Sequence, residues 1–273
     1  MSAQPEPPEP TPSVVWADQS SDTLARIGAS GTLIVPIGAT EQHGPHLPVG
    51  VDAIVAEHVA IRAAQRAYSD DYPVLVAPVL SYGSSHHHLP RPGTLSLSST
   101  TMLAVLRDLL ESAARTGIQR LLIVNGHGGN EDLARQAIRD TALAHPVVAG
   151  SVGYWSLAWD ETVKIAARYG LGPVPGHAGS FETSLLLAIR PARVSHGMAP
   201  ITSLGANRAA LGSHPLAGPV VEEHRWVHRA GGYSDDPTPA SAEAGEAILS
   251  NVVDACSSFL SGFARTPIEE LDV

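Results

Sequence analysis

Apolar residues fall into four short runs along the chain: TLIVPI (32–37), PVLVAPV (73–79), RLLIVN (120–125) and VVAGSV (147–152). They are rich in β-branched residues and do not alternate with polar ones, which predicts strands covered on both faces. Between them the apolar spacing lengthens to that of a helix. Residues 51–68 place Val55, Val59 and Ala63 on one face, and 99–116 place Met102, Leu106, Leu109 and Ala113 there, with Gly117 as a stop. Residues 130–144 align Leu133, Ala137, Ile138 and Thr141; Asn130 can cap this helix, and Glu131 and Asp132 suit its first turn. FETSLLLAI (181–189) is apolar nearly all round, which predicts a deeply buried helix. A last helix over 241–263 carries Leu249, Val252, Cys256, Phe259 and Phe263. Alternating strands and helices predict an α/β fold, a mostly parallel sheet sandwiched by helices.

The pattern stops at both ends. Residues 1–12 hold five prolines and read as a disordered tail, and residues 267–273 read as a second tail. One domain over 13–266 lies between them, without internal repeats. Its segment 197–239 is rich in Gly, Pro and His and shows little periodicity; His214, His224 and His228 within it read as surface or interface groups.

Composition narrows the function. The net charge of −10 argues against nucleic acid and anionic membranes as partners and suits a small-molecule substrate. Only 16% of residues are charged, which suggests a homo-oligomer that covers part of its surface. A single cysteine, Cys256, excludes internal disulfides and thiolate clusters and reads as a small core residue. The stretch MSAQPEPPEPTP lacks the basic and apolar regions of a signal peptide, and no apolar run reaches membrane-spanning length. The expected location is the cytoplasm.

Candidate chemistry gathers where strands end, which is where ligands bind in such sheets. GATEQHGPHLPVGVD (38–52) follows the first strand. In extended chain Glu41 and His43 point to one side, and Asp52 returns at the next helix; imidazole and carboxylate ligands of this kind suit Zn, Mn or Fe(II). NGHGGN (125–130) puts His127 at the end of another strand. Its glycines also suit an anion cradle, but it has neither the Gly-x-Gly-x-x-Gly spacing nor a Walker lysine. GHAGSFETSLLL (176–187) brings His177 and Glu182 to the start of the buried helix. A carboxylate entering an apolar helix is costly unless it meets a cation or strong donors. The bland alternatives are a turn histidine at 177 and a helix-capping carboxylate at 182. His46 reads as structural. The run His86–His88 looks like a tag-like metal cluster but sits in a flexible loop before RPGTLSL; its His88 can reach a substrate. Trp155 and Trp159, four apart, suit a core or subunit contact or a substrate lid.

GATEQHGPHLPVGVD, PGTLSL (92–97), NGHGGN, HAGSFETS and DPTPASAEAGEAIL (236–249), in that order, resemble the creatininase family of metal-dependent amide hydrolases. The resemblance implies a three-layer α/β/α sandwich, two divalent metal ions per subunit and often a homohexamer. It implies that Glu41 and His127 help hold one ion, that His43 holds the other, that Asp52 bridges them, and that His177 is the catalytic histidine. Creatininase itself carries a further ligand Glu where Gly129 stands, a Tyr where Gly128 stands and a Trp near Pro173. These departures argue against creatinine as substrate and nominate Glu182 to fill the ligand position. The expected activity is hydrolysis of a small cyclic amide, formamide or lactone. The alternatives are a peptidase and a non-catalytic metal-binding scaffold.

Overall fold

A computed structural model describes residues 13–69, 71–195 and 231–268. His214, His224 and His228, and both tails except for residues 267 and 268, lie outside the described residues.

Four parallel strands form one sheet: β1 (Thr32–Ile37), β2 (Val74–Val76), β3 (Arg120–Asn125) and β4 (Val148–Gly153), in the order β2-β1-β3-β4. β1 and β3 pair along their whole length, Thr32 opposite Arg120 and Ile37 opposite Asn125, so both end at the same edge of the sheet. PVLVAPV yields only three strand residues, because Pro73 and Pro78 lack the N–H a ladder needs.

Seven helices cover the sheet among the described residues: α1 (Ser21–Ile27), α2 (Val51–Ala67), α3 (Ser99–Arg115), α4 (Glu131–Ala144), α5 (Trp159–Arg168), α6 (Ser180–Ile189) and α7 (Ala242–Phe263). The pleat sorts the central strands between two cores. Ile34, Leu122 and Val124 pack with α2, α5, α6 and α7 on one face; Leu33, Val35, Ile37, Leu121 and Ile123 pack with α3 and α4 on the other. This is the expected three-layer α/β/α architecture. No described helix is long and apolar enough to cross a membrane.

Two core positions shift along their helices. Leu109 is 44% exposed while Leu110 is buried; Phe259 is 38% exposed while Leu260 is buried. In both cases the buried residue sits one position on, four residues after the preceding core residue, Leu106 or Cys256. Helices α1 and α5 have no counterpart in the apolar pattern. Their starts are short and polar: Ser20 caps α1 by accepting from Thr23 N–H at 3.2 Å, and α5 carries Asp160 and Glu161 in its first turn.

Candidate metal centre

The C-terminal ends of β1 and β3 meet the first turn of α2, and two glycines make that approach possible. A Cβ at Gly38 would come within 2.4 Å of Ala53 N, and one at Gly126 within 2.4 Å of Asp52 O. Any side chain at either position would push α2 outward. With glycine at both, Asp52 enters between the two strand ends. Its Oδ1 lies 3.1 Å from His43 Nε2 and its Oδ2 lies 3.1 Å from His127 Nδ1.

The asparagines of NGHGGN lock this edge. Asn125 accepts from His127 N–H at 3.0 Å and donates to His127 O at 2.8 Å. Asn130 does not cap α4 through its side chain. It donates instead to Gly38 O at 2.9 Å and accepts from Ser84 N–H at 2.9 Å, tying β1, β3 and the histidine-rich segment together. That segment is a short 3-10 turn, His86–His88, and so more ordered than the loop expected from its sequence.

The sequence motifs converge. Glu41, His43, Asp52, His127 and Glu182 are all buried. Glu41 Oε2 lies 3.3 Å from His127 Nδ1, and Glu182 Oε2 lies 3.6 Å from His43 Nε2. His177 Nδ1 stands 3.5 Å from Glu41 Oε1, with its side chain 12% exposed. His88 is buried as well, its Nε2 3.2 Å from the same oxygen. Among the described residues, ligand-capable atoms lie within 4.8 Å of one another in three groups: Glu41/His43/His177, Glu41/His87/His127 and His43/Asp52/Glu182.

The tautomers show what this cluster is suited to hold. His43 Nδ1 is 3.1 Å from Glu41 O, so it must carry the proton and donate to that carbonyl; Nε2 is then left to face two carboxylates. His127 repeats the device with the ring reversed. Its Nε2 is 3.1 Å from Ser84 O, and Nδ1 faces Glu41 and Asp52. A ring nitrogen pinned by a backbone carbonyl, with the other turned to acids, is the arrangement that orients metal-binding histidines. Glu41 Oε2, His43 Nε2 and Asp52 Oδ2 are buried without a hydrogen-bond partner. Acceptors facing acceptors need a cation between them, either a proton or a metal ion. The donor set therefore fits divalent ions.

Electrostatics carry the same signature. Burial opposes charge on His43, yet Asp52 and Glu182 hold its imidazole well above the ordinary value; Glu41 and Asp52 do the same for His127 against the same opposition. Burial would raise Asp52, but His43 and His127 hold it far below. Burial raises Glu182. Burial, with His43 and His88 nearby, pushes His177 well below its usual value, so its ring is neutral; burial and His127 push His88 down to about 3.

Glu182 also serves its own helix. Its Oε2 accepts the Ala178 N–H at 2.5 Å, and Ala178 adopts a left-handed φ of 51°. Non-glycine residues seldom take that conformation, and it commonly marks functional loops. The same oxygen thus accepts a backbone N–H and lies 3.6 Å from His43 Nε2.

Other sequence candidates fall elsewhere. His46 donates or accepts at Thr183 Oγ1, 2.9 Å away, and burial lowers it to about 4. Trp155 is buried in the core on the α2 face, and Trp159 packs against that core. Their neighbour Tyr154 feels the site: burial raises its phenol well above the ordinary value, and the charges of Glu182 and Asp52 add to this. Sequence reasoning missed Tyr154, and also Gln42. The Gln42 side-chain amide donates to His88 Nδ1 at 2.9 Å, and its backbone carbonyl lies 2.9 Å from His177 Nε2. An amide inside the Glu-x-His motif was the available signal.

A Cβ at Gly129 would lie 2.4 Å from Ser84 O and 2.5 Å from His127 Nε2. No side chain fits there without displacing backbone.

Comparisons with known proteins follow this geometry. The family model Creatininase, described as creatinine amidohydrolase, matches residues 17–260. The chain is 32% identical over 247 residues to the mycofactocin precursor peptide peptidase of Mycobacterium ulcerans (strain Agy99), covering 86% of this chain and 87% of that one. It is 34% identical over 184 residues to the creatinine amidohydrolase of Pseudomonas putida, covering 61% of this chain and 68% of that one. A solved structure named Creatininase Mn superposes with a TM-score of 0.71 at 26% identity, covering 93% of this chain and 100% of that one.

Proposed function

Because the chain belongs to the creatininase family of metal-dependent hydrolases, we propose that it hydrolyses an amide-type bond at a dinuclear centre built around Asp52. The observation that carries this is the pair of imidazoles, His43 and His127, each pinned at one nitrogen and facing carboxylates with the other. Glu41, His127 and Asp52 hold one ion. His43, Glu182 and the same Asp52 hold the second. The candidate ions are Zn, Mn or Fe(II), matched to imidazole and carboxylate donors. Bound there, divalent ions supply an acidified water and Lewis-acid polarisation of the carbonyl.

The protein's own groups handle the protons. His177 Nε2 lies 2.9 Å from the Gln42 backbone carbonyl and 3.0 Å from the Gln42 side-chain amide nitrogen, so Gln42 holds the ring from one side. A neutral imidazole takes the proton that the attacking water gives up, then returns it to the leaving nitrogen as the tetrahedral intermediate collapses. On the other side, Nδ1 lies 3.5 Å from Glu41 Oε1. Partial exposure lets His177 exchange protons with solvent, whereas His43 and His127 are enclosed.

Small cyclic amides, formamides and lactones are the first substrate class. The blocked position at Gly129 and the open one at Gly128 set this site apart from the creatininase pattern, so creatinine is expected to be a poor substrate. Peptide-bond cleavage is the second reading. The likeness to the mycofactocin precursor peptide peptidase, which spans more of the chain than the likeness to creatinine amidohydrolase, favours it. The discriminating assay offers metal-loaded protein a panel of cyclic amides, formamides, lactones and short peptides. Chelator-sensitive release of amine or acid from one class is the expected result. A fully loaded protein that cleaves none of them is a non-catalytic scaffold, and the proposal fails.

A further inference from the structure

We infer that His87, an exposed residue outside the expected ligand set, is an additional metal ligand that closes the solvent side of the Glu41/His127 ion. The inference rests on the metal-centre reading above and extends it.

The turn that carries His87 is anchored on both sides of it. Ser85 N–H donates to Ser96 Oγ at 2.7 Å, and His86 Nδ1 lies 2.8 Å from the same hydroxyl. His88, on the other side, is buried and held by Gln42. His87 between them is exposed. Its ring stacks on His127 at 5.5 Å with an interplanar angle of 8°, and it leans on His88 at 4.3 Å. Ligand-capable atoms of His87, Glu41 and His127 all lie within 4.8 Å of one another.

One observation points to a cation at that place, and a second shows room for the His87 ring beside it. Glu41 Oε2, 3.3 Å from His127 Nδ1, is buried and lacks a hydrogen-bond partner. Gly129 leaves the room that the His87 ring occupies: a Cβ there would lie 3.0 Å from His87 Cε1. The missing side chain at 129 and the imidazole at 87 are thus two aspects of one arrangement.

The chemistry is consistent. Glu41, His127 and Asp52 give the ion three protein donors, and His87 makes a fourth. The other donors are buried and braced. His87 is the one that a substrate entering from solvent can displace, which keeps a coordination position available for the reaction.

The test uses the full-length protein loaded with Co(II), in the wild type, His87→Ala and His86→Ala. Each is assayed for ions per chain, for affinity by chelator competition, and for the visible absorption of the bound cobalt. His87→Ala should weaken one ion at least about tenfold, the usual scale when metal-site support is lost, and change the cobalt spectrum. The second ion and His86→Ala should match the wild type. His87→Ala with both affinities and the spectrum unchanged overturns the inference. Wild-type protein that takes up one ion overturns the two-ion reading; a weakened ion in His87→Ala then still supports His87. Wild-type protein that takes up no ion overturns both.

Discussion

The two halves of the proposed metal centre use the same device with different support. In the Glu41/His127 half, the two residues follow the ends of the paired strands β1, which stops at Ile37, and β3, which stops at Asn125. Asn125 clamps His127, Asn130 joins it to Gly38 and Ser84, and the His87 ring stacks on His127. In the His43/Glu182 half, His43 is equally buried, but its second carboxylate comes from a distant helix. Glu182 reaches to 3.6 Å while already accepting the Ala178 N–H. The lesson is that a candidate ligand just beyond a strand end is positioned by the paired backbone beside it, whereas one on α6 depends on packing. The first half should be robust and the second easily perturbed. Asp52, wedged between Gly38 and Gly126, is the element they share.

That contrast can be broken at its centre. Asp52→Ala should lose most of both ions, the largest effect expected, and elemental analysis after gel filtration reads it directly. Loss of only one ion would mean that the halves do not share Asp52.

His177→Ala should leave both halves filled while turnover drops about 10²-fold or more, the scale of a lost proton-transfer group. Metal analysis alongside kinetics separates the roles. A collapse in metal content makes His177 a ligand, in line with its grouping with Glu41 and His43.

Glu182→Gln sharpens the asymmetry. It keeps the shape and removes the charge, so it should weaken the His43-side ion about tenfold and leave the Glu41/His127 ion in place. Competition titration with a chelator distinguishes the two. Both ions at wild-type affinity with lost activity would make Glu182 a proton-transfer group instead; no change in either would leave it as a helix cap.

Asn130→Ala is the mildest probe. It removes the bonds to Gly38 O and Ser84 N and leaves buried groups unpaired, which costs about 1–3 kcal/mol of stability. Denaturant unfolding should show that loss while both ions remain bound.

Much of this was legible in the chain. TLIVPI and RLLIVN are β1 and β3 residue for residue, because uninterrupted β-branched runs have one stable use in an α/β sheet. The extended Glu-x-His and the returning Asp52 brought three ligand candidates to one place. What failed has physical causes. Prolines cut β2 short, and the choice between Leu109 and Leu110 depends on the angle at which α3 meets the sheet, which periodicity does not encode. Asn130 read as a cap because local sequence cannot reveal a partner at Gly38 or Ser84. His87 and Gln42 were missed for the same reason: their contacts arise from the fold of the 84–96 segment back over the strand ends.

The account stands on two ions sharing one carboxylate. Anomalous diffraction from crystals of zinc-loaded protein would locate them. The expected map has two peaks per chain, one between Glu41 and His127 and one between His43 and Glu182, with Asp52 touching both. A single peak in fully loaded crystals, or two peaks with Asp52 bound to only one, would contradict it.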